Sequence, residues 1–255
     1  MSAGVAVVIG IVGAVVGSFL NVCIWRIPRE ESVVFPASHC PACSRPIRFQ
    51  DNIPMISYLI LGGRCRDCGE RISLRYPLIE ALTAGMAVLL FWKYGLTLKL
   101  AAAFLFTAAL IVITFIDMDY QIIPDVISLP GIPLCFLAAV FVMEVPFLDA
   151  LAGILVGGGI LYVIAVGYEW IAKREGMGGG DIKLLAMLGA FFGWKSLLFI
   201  VLCSSLTGAV IGITLMVIKG QDMKYAVPFG PFLALGAVLY FFFGEPFLNF
   251  LFLTA

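Results

Sequence analysis

Charge is what this sequence has least of. Asp, Glu, Lys and Arg together make up 13% of it, against 62% hydrophobic residues, and its mean hydropathy is +1.08. Soluble domains carry about 25% charged residues, so the composition excludes a soluble globular chain and points to a polytopic membrane protein. The sequence also lacks an internal repeat and a low-complexity tail. No basic leader precedes the first apolar stretch. Met1 to Cys23 is apolar and is followed by Arg26 and Arg29, so residues 1–25 are expected to remain as a membrane span rather than be cleaved as a signal peptide. With a formal net charge of zero, no nucleic-acid partner is expected. The lipid bilayer is the expected surrounding.

The charge that is present is unevenly placed. Eight arginines fall between Arg26 and Arg75, and long stretches elsewhere have none. The hydropathy pattern predicts an all-α fold of about eight spans, at 2–25, 77–94, 99–117, 126–143, 149–172, 182–194, 197–218 and 226–253. The sixth is short, and it is expected to tilt, be shielded, or form one broken element with the seventh. Short basic loops stay in the cytoplasm. That rule places the Arg26–Arg75 loop, Lys173, Arg174, Lys183, Lys219 and Lys224 inside, Lys93, Lys99 and Lys195 outside, and both chain ends outside. Three parts follow: a first helix (1–25), a polar loop (26–76) and a helical bundle (77–255). Gly13-x-x-x-Gly17 and Gly153-x-x-x-Gly157 are expected packing surfaces between helices.

Within the polar loop, Cys40-Pro41-Ala42-Cys43 and Cys65-Arg66-Asp67-Cys68 are separated by twenty-one residues. Two such pairs can close a tetrahedral four-thiolate zinc site with no open position, a structural site that supplies folding free energy to a loop with little apolar area. Disulfides are disfavoured if the loop faces the reducing cytoplasm. His39 reads as a solvated neighbour. Cys23, Cys135 and Cys203 read as small apolar fillers within spans.

Two aspartates sit where carboxylates are costly. Asp117 ends the apolar run Ala108–Ile116, and Asp181 follows the glycines of Gly176-Met177-Gly178-Gly179-Gly180. Acids at the edge of hydrocarbon mark working sites and need partners. The expected topology puts both on one side, where paired carboxylates tend to share a proton. One could then take a proton from water while the other protonates a peptide carbonyl, as in aspartic proteases. Gly178, Gly179 and Gly180 would let a substrate backbone come close. Asp181 and Asp125 also read as helix caps, and Asp119 as solvent-facing. Pro124 and Pro130 predict a turn over Asp117–Asp125. On these residues alone, a protease and a proton-coupled transporter or channel using Asp117 and Asp181 as a relay both remain open.

The ordered motifs resemble the bacterial type IV prepilin peptidases, bifunctional leader peptidases and N-methyltransferases of the GxGD intramembrane aspartic protease type. They run from Gly17-Ser18-Phe19-Leu20-Asn21-Val22 and Arg26-Ile27-Pro28, through both cysteine pairs, Asp51-Asn52-Ile53-Pro54 and Ser73-x-Arg75-Tyr76-Pro77-x-x-Glu80. Ile116-Asp117, Ile123-Pro124-Asp125 and Gly178-x-Gly180-Asp181-x-Lys183 complete them. The resemblance implies that Asp117 and Asp181 are the catalytic pair. It implies cleavage of a basic leader after a glycine in prepilins or pseudopilins of type IV pilus or type II secretion systems. It further implies methylation of the new amine with S-adenosylmethionine, a location in the bacterial inner membrane, and structural zinc at Cys40, Cys43, Cys65 and Cys68. The polar loop shows no glycine-rich nucleotide fingerprint, so the methyl-donor site stays unknown, as does the oligomeric state. Acids such as Glu80, Asp119 or Asp125, or anionic lipid, are expected to meet a basic leader.

Overall fold

A computed structural model describes residues 3–172, 178–219 and 228–252. Lys173, Arg174, Gly176, Met177 and Lys224 fall outside the described residues. The chain divides into two compact units, Met1–Val112 and Ile113–Ala255. Among the described residues the regular structure is helical, with two isolated β-bridges in the polar loop and no strand.

In the first unit, α1 (Ala3–Arg26) leads through a short 3-10 turn into the polar loop, which holds the short helix α2 (Ile56–Ile60) and ends at α3 (Arg75–Tyr94). α4 (Leu98–Tyr120) follows and runs on into the second unit. α1 exposes Val7, Val8, Ile11, Val12 and Val15 and buries Gly13, Ala14 and Gly17. An apolar exterior with a small-residue interior face suits a lipid-facing helix. The buried glycines meet α3: a Cβ at Gly13 would lie 2.8 Å from Ala84 Cα, and one at Gly17 2.8 Å from Glu80 Cα.

The second unit adds α5 (Asp125–Phe141), α6 (Phe147–Ala172), α7 (Gly179–Phe192), α8 (Trp194–Lys219) and α9 (Gly230–Phe252). The tightest joint is between α6 and α7. Gly153 and Gly189 pack backbone against backbone, and a Cβ at Gly157 would lie 2.6 Å from the Leu185 carbonyl oxygen. α7 is consequently buried from Leu184 to Phe191.

Among the described residues each of the eight expected segments contains a helix, but six helices rather than eight have the length and apolarity to cross a bilayer: α1, α3, α4, α6, α8 and α9. α5 has 17 residues and α7 has 14. At about 1.5 Å per residue α7 reaches about 21 Å, short of the ~30 Å hydrocarbon core. Only Gly193, with φ of 83°, separates α7 from α8, so the two form the broken element that was one of the expectations. The expected turn over Asp117–Asp125 is shorter than predicted. α4 continues to Tyr120, and Pro130 and Pro133 lie inside α5. Proline is tolerated inside membrane helices, where neighbouring groups satisfy the carbonyls it frees, and neither Pro130 nor Pro133 stops α5.

Gly153→Val tests the α6–α7 contact. It should lower stability by about 1–3 kcal/mol or more, since the opposing atoms are backbone. Gly159→Val, where nothing stands within 4 Å of a Cβ, should be near neutral. Thermal unfolding of the two variants in detergent gives the comparison.

Candidate functional site

Asp117 is carried into the interior by the last turns of α4, whose Ile113 and Ile116 are fully buried. The carboxylate itself is 5% exposed. Its Oδ2 accepts the Gly230 backbone N–H at 3.0 Å. Gly230 opens α9, so this N–H is one of the donors a helix start leaves without an intrahelical partner, at the positive end of the helix dipole. A Cβ at residue 230 would stand 2.6 Å from the same oxygen, so the approach needs a glycine.

Asp181 sits in the first turn of α7, after Gly178 at the N-cap position and Gly179 and Gly180 inside the helix. The glycine run is therefore a helix start, and Asp181 lies three residues within it, not at the capping position. Asp125 likewise follows the cap, which is Pro124. Burial, and then the Asp117 charge, push the Asp181 carboxyl up to about 6. Ile123 joins the parts: a Cβ at Gly180 would meet its Cβ at 2.8 Å, and one at Gly230 its Cδ1 at 3.4 Å. Asp125 is paired with Lys183 of α7, Nζ to Oδ1 2.7 Å. Gly179 has nothing within 4 Å of a Cβ, so the first turn of α7 is open there. Asp119 is exposed.

In the first unit the four cysteines converge. Sulfurs of Cys40, Cys43, Cys65 and Cys68 all lie within 4.8 Å of one another, and this cluster can hold a metal ion. The two halves repeat one turn twenty-five residues apart. Cys40 N–H donates to Arg45 O and Ser44 N–H to Cys40 O; Cys65 N–H donates to Glu70 O and Gly69 N–H to Cys65 O. Ser44 and Gly69 both have positive φ, and each turn is closed by a bridge, His39 to Pro46 and Arg64 to Arg71. His39 is exposed and stays outside the cluster. Arg66 clamps Asp51 through three hydrogen bonds of 2.6 to 3.1 Å and holds its carboxyl below the usual range.

Buried polar residues tie the loop to its helices. Arg26 donates to the carbonyls of Ser32 and Pro36, at 2.9 and 2.7 Å. Asn21 donates to those of Gly17 and Tyr76. Glu80, expected to face a substrate leader, is instead buried and accepts the Met55 N–H at 2.7 Å. Met55 has positive φ, and Glu80 fixes that turn. Cys23 and Cys135 are buried as expected; Cys203 is partly exposed.

The model of the Bacterial Peptidase A24 N-terminal domain matches residues 11–94, and that of the Type IV leader peptidase family matches residues 104–213. The chain belongs to the type IV leader peptidase family. Among relatives in this family, the prepilin leader peptidase/N-methyltransferase of Pseudomonas putida is 37% identical, covering 92% of this chain and 89% of the relative. The protein of the same name from Neisseria gonorrhoeae is 38% identical, with 91% and 88% covered. The one from Myxococcus xanthus is 40% identical over 85% of this chain and 64% of its own length. No solved structure matches.

The family motifs thus occupy two places, one per unit. Sequence reasoning named both aspartates, all four cysteines and the motif that contains Ile123, but neither Gly230 nor the pairing of Asp125 with Lys183. Pro228-Phe229-Gly230-Pro231, a glycine between prolines at the mouth of an apolar segment, was the available signal for α9's role. Gly230→Ala should crowd the Asp117 carboxylate. Peptide cleavage should fall at least about tenfold, a loss of order 1.4 kcal/mol in transition-state stabilisation, with the helical circular dichroism unchanged. Replacing Cys40, Cys43, Cys65 and Cys68 by serine should abolish metal content by elemental analysis and make residues 26–76 sensitive to protease.

Proposed function

We propose that the protein is a multi-pass intramembrane aspartic endopeptidase that removes the basic leader of prepilins or pseudopilins, with Asp117 and Asp181 as the catalytic pair. The observation that supports this is a shared neighbour: Ile123 lies against Gly180, which precedes Asp181 in the first turn of α7, and against Gly230, whose N–H binds the buried Asp117 carboxylate. A peptide bond presented there is cut without a covalent intermediate. The ionised carboxylate takes a proton from water, and the hydroxyl adds to the peptide carbonyl carbon. The protonated partner gives its proton to the carbonyl oxygen. The tetrahedral adduct then breaks the C–N bond as the amine leaves with a proton returned by the first carboxyl, and one adduct hydroxyl returns its proton to the partner as the new carboxyl group forms, so the pair regains its single shared proton. Nothing in this sequence needs a metal at the aspartates.

Cleavage after a glycine fits the side-chain-free edge at Gly178 and Gly179, both exposed. The relatives' name and the N-terminal domain match support N-methylation of the exposed amine, with S-adenosylmethionine as donor. Zinc fits the cysteines. Four thiolates at about 2.3 Å from zinc stand about 3.8 Å apart in a tetrahedron, and Cys40 Sγ and Cys68 Sγ are 3.8 Å apart. The ion would cross-link the two turns and leave no position for substrate. Arginine placement supports an inner-membrane protein with the cysteine loop and aspartates on the cytoplasmic side.

Asp117→Asn and Asp181→Asn should each reduce cleavage of a prepilin peptide by at least about a hundredfold, with metal content unchanged. Methyl transfer to a pre-cleaved peptide should survive both. Cleavage retained in either variant would remove that residue from the pair.

A further inference from the structure

Of the eight arginines between Arg26 and Arg75, Arg45 and Arg48 pair with Asp67 and Arg66 with Asp51. Arg26 and Arg29 donate to backbone carbonyls, Arg29 to that of Trp25. Among the described residues Arg64 and Arg71 have no such partner, yet they face each other across an antiparallel bridge. Residues directly opposed in such a bridge have Cβ atoms about 5 Å apart, and like charges there repel. The matching bridge of the other cysteine turn, His39 to Pro46, carries no such pair.

The two arginines line a cavity of about 540 Å³ with Tyr58, Gly62, Gly63, Ile72, Ser73 and Leu74. The lining has no carboxylate. The Tyr58 hydroxyl lies over Gly63, 2.8 Å from where a Cβ would be. Ser73 Oγ accepts the Arg75 N–H and keeps its own hydrogen to donate. Two guanidinium groups and two hydroxyls around one space make an acceptor-rich anion the complementary ligand.

The surroundings say which anion. Leu74 immediately precedes α3, a helix able to span the bilayer, so the cavity opens where the chain enters the membrane. Leu59, Ile60 and Leu74, on the same stretch of loop, are 77%, 73% and 71% exposed, which water would oppose and acyl chains would not. We propose that this cavity binds the phosphate of an anionic phospholipid headgroup, with Arg64 and Arg71 on the phosphate oxygens and the three apolar side chains in the interfacial layer. S-adenosylmethionine is a poorer fit, because its sulfonium and ammonium groups would meet two arginines and no acid.

The test uses the full, metal-loaded chain. After delipidation in detergent, native mass spectrometry is used to follow titration with phosphatidylglycerol or phosphatidylcholine. For Arg64→Ala/Arg71→Ala, phosphatidylglycerol affinity should fall about thirtyfold, at about 1 kcal/mol for each basic residue near an anionic surface. Phosphatidylcholine binding should not change, and Arg64→Lys/Arg71→Lys should keep most of the affinity. Hydrogen exchange on the unmodified protein in nanodiscs provides a readout independent of the variants. Residues 58–74 should be more protected in phosphatidylglycerol than in phosphatidylcholine, and neither glycerol phosphate nor S-adenosylmethionine should reproduce that protection in phosphatidylcholine discs. Equal protection in both lipids, or protection by either soluble ligand instead, would overturn the assignment.

Discussion

The contact of Gly153 with Gly189 is what the position of α7, and of Asp181 in its first turn, depends on. Inside a bilayer, apolar helices gain nothing by leaving lipid for one another, and association rests on van der Waals fit. Two glycines facing each other let α6 and α7 touch along their backbones, and the Gly157 contact with Leu185 extends that seam by a turn. α7 is too short to be anchored by span length. Its depth is set by this seam instead, and with its depth the position of Asp181. The residues that bury α7, Leu184 to Phe191, start three positions after that carboxyl. A carboxyl at the margin of a fixed apolar helix has little freedom to retreat into solvent.

The second carboxyl is held differently. Asp117 ends the buried part of α4, and its compensation comes from a backbone amide rather than a cation. Among the described residues, the lysine nearest in the motif, Lys183, is engaged with Asp125. A salt bridge to Asp117 would fix it as a permanent anion. One amide from a helix start stabilises the charge and still leaves the oxygen able to accept a proton. The two carboxyls therefore lie in unequal surroundings.

Much of this was legible in the sequence, because membrane helices announce themselves by composition. The eight helical segments fall within a few residues of where hydropathy puts them, and the cysteine spacing specified its cluster. What hydropathy cannot weigh is the length a helix keeps once it is buried by neighbours, so α5 and α7 read as spans. Local propensity also misassigned the caps. Asp125 and Asp181 are good capping residues, but Pro124 and Gly178 start those helices one and three residues earlier. Gly230 was invisible because its function lies in its backbone N–H and in the absence of a side chain, and its partner is 113 positions away. Glu80 read as surface because acids usually are, whereas here it is buried and accepts a backbone N–H from the loop.

The equivalence of the two cysteine turns bears on how the loop matures. Each turn is built by its own short-range hydrogen bonds and offers two sulfurs, so neither depends on the other to take shape. An ion held by one pair alone would be only half satisfied, and the second pair would reach it by closing the twenty-one residues between. Binding by the second pair would then be intramolecular, and the chelate ring it closes would be the loop itself.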